Sequence, residues 1–236
     1  MRFTKRIKKA ISRLISRANQ LGISNLNNNY FFDVKRKRPE ELFESVLDYF
    51  KDETLFNYAT SKSIMRTQRK ITLRTLELLE LKNNQGLILD AGCGPGFVAM
   101  YLDELGYKTI ALDLILNFLK FYEIQDLNPV LADMCYPPFQ PDLFDAIISI
   151  SALQWIYIHL NLKKKREDLI NLFKMFYTIL KPKGKAVFQF YPKDKIVMDN
   201  IGDLISKNTK FNGNFVIDNP NSPKKRKIYL LLKKEL

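Results

Sequence analysis

The stretch LDAGCGPG, residues 89–96, constrains this chain more than any other, because three glycines and a proline follow directly on a short apolar run and an aspartate. Leu87 to Leu89 has the length and composition of a strand, and Phe97 to Leu105 carries apolar residues at helical spacing. The glycines therefore occupy a strand-to-helix turn, where bare backbone lets main-chain amides approach a nucleotide-like ligand.

The alternation continues downstream. Strands are predicted near Leu87 to Asp90, Thr109 to Leu112, Val130 to Ala132, Phe144 to Ser149 and Ala186 to Phe190, with helices near Phe97 to Leu105, Leu114 to Glu123 and Lys164 to Leu180. A helix around Lys195 to Lys207 then precedes two further strands, Phe215 to Asp218 and Ile228 to Leu232, joined by the turn NPNSPKKRK with its basic tip. The pattern predicts an α/β fold: a mostly parallel seven-stranded sheet with helices on both faces and an antiparallel terminal strand. Before Gly86, Glu40 to Phe50 and Ser61 to Leu81 read as a helical lead-in, so residues 39–236 form the expected domain and residues 39–85 its lead-in.

Residues 1–38 form a separate basic extension, holding eleven Lys and Arg against the single acid Asp33. Residues 224–236 hold six against Glu235, so the net charge of +13 resides in two tails around a nearly neutral body. Such tails suit a polyanion. They also suit a solvated, solubilising role, and Arg2 to Arg17 has an amphipathic pattern that a membrane surface would accept. No apolar run reaches membrane-spanning length and the N-terminus lacks a signal-peptide pattern, which predicts an intracellular protein. Cys93 and Cys135 form no CxxC pair and His159 is the single histidine, so no metal site and no His-based triad are expected.

The glycine spacing is GxGxG at Gly92, Gly94 and Gly96, and Phe97 stands where a dinucleotide fingerprint would place its third glycine. Asp90 precedes the turn, Asp113 closes the next strand in TIALD, and Asp133 follows the third in LADM. A carboxylate in the place of Asp113 can accept both hydroxyls of a ribose, and one in the place of Asp133 can accept an exocyclic amine. Ligands of open α/β sheets bind at the strand ends where these residues converge.

DAGCGPG, ALD and LADM resemble the S-adenosylmethionine sites of the Rossmann-like class I methyltransferases. The resemblance implies S-adenosylmethionine as cofactor, with Gly92 and Gly94 lining its methionine end and Asp90 reaching that end through an amino group or water. It further implies Asp113 on the ribose and Asp133 on the adenine, with Met134 and Ser149 alongside. A narrower resemblance runs from about Arg38 to Leu232. RPEELF, YATSKSIMRTQRKITLRTLELLEL, SISALQWI, AVFQFYP and FNGNFVIDNPNSPKKRKIYLLL are similar, segment by segment, to the eukaryotic and archaeal small-subunit rRNA guanine-N7 methyltransferases of ribosome biogenesis. It implies methyl transfer to a guanine N7 of small-subunit rRNA on a pre-ribosomal subunit, in the cytoplasm or, in a eukaryote, the nucleus. Those eukaryotic proteins carry a long basic C-terminal tail, whereas here the long basic extension stands in front.

Guanine N7 is an unprotonated lone pair, so its methylation needs placement and desolvation rather than a general base. Gln154, Trp155 and Tyr191 follow the fourth and fifth strands and are the candidates for positioning the base. Trp155 and Tyr191 have rings to stack on it and Gln154 an amide to read its edge, although Trp155 equally suits a roof over the cofactor. Other readings of the same residues are a methyltransferase of tRNA or of a small molecule, and an assembly factor acting mainly by binding. If the Val130 strand lies at the sheet edge, Val130 and Leu131 present backbone and apolar side chains for strand pairing. The resemblance implies as occupant a zinc-ribbon activator protein that brings its own zinc; the chain's N-terminal helices are the alternative cover.

Overall fold

The computed structural model describes residues 37–81, 86–121, 127, 129–158 and 162–235. The helix expected over Arg2 to Arg17 and His159 lie outside these residues.

Among the described residues four helices precede the first strand: α1 (Pro39–Leu42), α2 (Val46–Tyr49), α3 (Asp52–Ala59) and α4 (Lys62–Leu79). The continuous helix expected from Glu40 to Phe50 is interrupted. Phe43 is extended at φ −117°, ψ 135°, and the Ser45 hydroxyl accepts the Leu47 amide at 3.2 Å, which starts a new turn instead of prolonging the old one. No element was expected at α3, which follows at once. Ser61 then caps α4 by accepting the Ile64 amide at 3.3 Å.

The sheet contains β1 (Leu87–Ala91), β2 (Lys108–Asp113), β3 (Pro129–Leu131), β4 (Phe144–Ile150), β5 (Leu180–Phe190), β6 (Phe211–Asp218) and β7 (Lys227–Lys234), in the order β3-β2-β1-β4-β5-β7-β6. Only β7 runs against its neighbours, inserted between β5 and β6. The connecting helices are α5 (Phe97–Glu104), α6 (Leu116–Leu119), α7 (Gln154–Tyr157), α8 (Lys163–Ile179) and α9 (Lys195–Asn208). Over the described part of the helix expected from Leu114 to Glu123, residues 114–121, the helix is a single turn at α6. Its start is held extended because the Asp113 carboxylate accepts the Ile115 amide at 2.8 Å.

Side chains alternate between the two faces of each strand, and each face is covered. On one side Ile88, Ile148, Val187 and Tyr229 pack with Ile71 and Leu79 of α4 and Val98 and Leu102 of α5. On the other, Leu89, Ile147, Phe188 and Leu230 pack with Phe173 and Phe176 of α8 and Ile201 of α9. The Phe176 and Phe188 rings stack at 5.6 Å, worth about 1 kcal/mol beyond the area they bury. Arg74 reaches from α4 to the end of β6, where Asp218 accepts its Nε at 3.0 Å and its second guanidinium branch at 3.2 Å. The strand order reverses between β1 and β4, and there the C-terminal ends of the strands open a crevice.

Candidate functional site

The crevice begins at the glycine turn. Leu112 O, on β2, accepts the amides of Gly92 at 2.8 Å and Cys93 at 3.0 Å, so the turn is stitched to the neighbouring strand. Gly92 has φ +76°, and a Cβ there would stand 2.5 Å from the Cβ of Ala152. Both the backbone conformation and the close approach of the loop after β4 therefore require glycine. Gly94 is also left-handed, at φ +55°. Asp113 closes the arrangement: its Oδ2 accepts the Gly94 amide at 2.7 Å and its Oδ1 accepts Ile115. Burial raises its pKa, and those two amides oppose the rise. Each carboxylate oxygen keeps a second lone pair for a ligand hydroxyl.

Asp90 lies beneath the turn, fully buried, and neither carboxyl oxygen has a close hydrogen-bond partner among the described residues. Burial, reinforced by the charge of Asp113, pushes its pKa up to about 8, against the weaker influence of the Ala99 amide. A buried acid without a partner is an acceptor held for something else.

The pocket brings Gly92, Gly94, Asp113 and Trp155 together with residues that the sequence did not single out, chiefly Phe50, Tyr58, Gln68 and Phe118. Helices α2 to α4 thus supply one wall. Phe50 packs edge-on against Tyr58 at 5.1 Å and Phe118 at 4.9 Å, and lies 6.0 Å from Trp155. Gln68 is 7% exposed, and among the described residues its Oε1 has no partner. Burial is the main reason that the Tyr58 hydroxyl is pushed up to about 12. The signal in the sequence was present but indistinct: VLDYF and YATSKSIMRTQRK are aromatic and amphipathic in ways that any core helix would be.

The other expected residues lie around this pocket rather than on its wall. Met134 is buried beside the turn, its sulfur 3.6 Å from where a Gly92 Cβ would stand. Asp133 is half-buried and accepts the Cys135 amide at 2.8 Å. Ser149 is fully buried within β4, and its hydroxyl has no partner among the described residues. Gln154 donates to Ser151 O at 2.8 Å, and its side-chain carbonyl oxygen is buried with no partner among the described residues. Tyr191 is half-buried beyond the pocket wall, with Lys227 Nζ 5.2 Å and the Arg38 guanidinium 5.8 Å from its ring centre. Val130 and Leu131 lie on β3, an edge of the sheet as expected, and Leu131 is 51% exposed.

These residues fit S-adenosylmethionine. Asp113 has lone pairs for ribose hydroxyls, Asp90 and Gln68 hold unpartnered acceptors near the glycine turn, and Gly92 and Gly94 leave the backbone open.

Residues 89–188 match a family described as a methyltransferase domain. Over 203 residues the chain is 32% identical to an 18S rRNA (guanine-N(7))-methyltransferase of Schizosaccharomyces pombe, covering 83% of this chain and 74% of that protein. It is 35% identical over 205 residues to an 18S rRNA (guanine-N(7))-methyltransferase of Bos taurus, covering 83% of this chain and 71% of that one. Its fold is similar to that of an S-adenosylmethionine-dependent methyltransferase from Methanococcus maripaludis, with a TM-score of 0.61 at 14% identity over 86% of this chain and 97% of the other.

Proposed function

We infer the function from kinship and site together: the chain belongs to the 18S rRNA (guanine-N7)-methyltransferase family, and it transfers a methyl group to N7 of a guanine in small-subunit rRNA during ribosome biogenesis. Its cofactor is S-adenosylmethionine, whose sulfonium supplies the methyl group. The observation that carries this reading to the site is Asp113 drawn onto the Gly94 amide at the mouth of the crevice.

We propose the following roles. Asp113 binds the ribose hydroxyls, and Gly92 and Gly94 present backbone to the methionine end, where Asp90 serves as acceptor. Asp133 takes the adenine amine, with Met134 flanking the turn and Ser149 lying behind it. Trp155 and Gln154, on the helix after β4, position the target base. No residue need remove a proton, because N7 carries none; the chain's task is orientation and exclusion of water, and orientation alone is worth up to roughly 7–11 kcal/mol of barrier. The aromatic wall of Phe50, Tyr58, Phe118 and Trp155 supports exclusion of water.

The basic extension of residues 1–38 is proposed to contact rRNA phosphates, leaving residues 39–236 as the catalytic domain. A zinc-ribbon activator is proposed to extend the sheet at β3, supported by the three-residue edge strand and the exposed Leu131. Among the described residues no helix is long and apolar enough to cross a membrane. The proposed location is the compartment where small subunits are assembled, the nucleus or the cytoplasm.

The test is methyl transfer from labelled S-adenosylmethionine to purified small subunits, with the activator present and tRNA and metabolites as parallel substrates. Label recovered as 7-methylguanosine in small-subunit rRNA is expected. Label confined to tRNA or a metabolite overturns the substrate assignment and leaves the cofactor site standing.

A further inference from the structure

Tyr191 stands out from the other base-positioning candidates because its ring is already engaged by cations. Lys227 and Arg38 both approach its ring centre within 6 Å, and Arg38 also donates to the Tyr191 carbonyl. That carbonyl is held a second time by the Tyr157 hydroxyl at 2.7 Å. Tyr157 belongs to α7, the same four-residue helix that sends Trp155 to the pocket. The ring and its two cations are therefore tied to the pocket rim by a rigid turn.

The topology adds further positive charge at this place. β7 runs against β5 with Phe190 opposite Ile228, so the β6–β7 turn emerges at the same sheet end as the glycine turn. From β1 to β7 the step is three strand spacings, about 14 Å. The turn exposes Lys224 and Lys225, and Lys193 is exposed two residues beyond Tyr191. Among the described residues none of Lys193, Lys224, Lys225 and Lys227 has an acidic partner, while Arg38 has Glu40 at 4.0 Å. Uncompensated lysines beside a fixed pair of cations repel one another unless an anion lies among them.

We propose that Tyr191 is the platform of a phosphate clamp, with Arg38 and Lys227 gripping the RNA backbone next to the target guanine and Lys193, Lys224 and Lys225 continuing the track. The clamp rests on the RNA reading above and assigns Tyr191 to the backbone rather than to the base. Cation–π contact with the ring holds the two charged groups in place and lowers the entropy lost when a phosphate binds.

The experiment measures binding of the full chain, with its activator, to single-stranded small-subunit rRNA fragments over a salt series, alongside methyl transfer. The Lys224→Gln/Lys225→Gln pair should weaken binding about tenfold and reduce the slope of log affinity against log salt by about 1.4, from two lost contacts at about 0.7 each. Its affinity for S-adenosylmethionine should stay unchanged. Tyr191→Leu should reduce the slope too, because Arg38 and Lys227 lose their support. Unaltered affinity and slope in the lysine pair overturn the clamp, as does a Tyr191→Leu variant that loses kcat while keeping the slope, which would give the ring to the base. If wild type modifies no small-subunit guanine, the functional reading fails; if it does and the lysine pair is silent, the clamp alone fails.

Discussion

The Asp113 carboxylate accepts the Gly94 amide at 2.7 Å, which joins the end of β2 to the glycine turn after β1 through a side chain that also lines the pocket. One residue thus shapes the loop and, in the role proposed above, offers acceptors to a ribose. Asp113→Ala should weaken S-adenosylmethionine binding at least about 100-fold, since hydrogen bonds to a charged group are worth roughly 1.5–3 kcal/mol each. Calorimetric titration reads this directly, and an unchanged affinity would sink the assignment.

Gly92→Ala should destabilise the fold. A side chain there meets Ala152 at 2.5 Å on a backbone at φ +76°. The cost is about 2 kcal/mol or more, and 2 kcal/mol lowers Tm by roughly 4–8 °C in a chain of this size. Thermal denaturation by circular dichroism measures it.

The buried Asp90 makes stability depend on pH. Its pKa rises from an ordinary 3.8 to about 8 in the fold, so between those values the folded chain keeps a proton that the unfolded chain has released. Stability therefore falls as pH rises through that window and levels off above it, and Asp113, also raised by burial, acts in the same direction. Asp90→Asn should flatten the decline. Urea midpoints collected from about pH 5 to about pH 8.5 for both proteins test the sign.

Gln68→Leu removes an amide oxygen that is buried without a partner. If that oxygen is reserved for the cofactor, the variant should bind S-adenosylmethionine about tenfold more weakly, the loss of one hydrogen bond. Its Tm should drop little. Equal affinity in the variant would reduce Gln68 to a packing residue of α4.

Leu131→Arg should abolish co-purification with the proposed zinc-ribbon activator. The residue is 51% exposed on the edge strand, so the isolated chain should keep its stability within about 0.5 kcal/mol. Pull-down of the paired proteins and a melting curve of the chain alone separate the two effects.

The turn LDAGCGPG, the strands around it and the three aspartates at successive strand ends are legible in sequence because each depends on a local rule: glycine where φ is positive, period two in strands, carboxylates after them. The C-terminal motif VIDNPNSPKKRKIYL likewise announced its antiparallel pair. The break at Phe43 to Ser45 and the shortening of the predicted Leu114 helix were hidden, because side chains of Ser45 and Asp113 compete for backbone amides that periodicity assigns to a helix. Hidden too was the wall that α2 to α4 supply. An amphipathic pattern says that a helix face is covered, while only the packed chain says whether Gln68 and Phe50 cover core or cofactor. Tyr191 shows the same division: its place after a strand follows from the sequence, whereas its meeting with Arg38, 153 positions away, is a contact between distant parts of the chain that only the closed sheet creates.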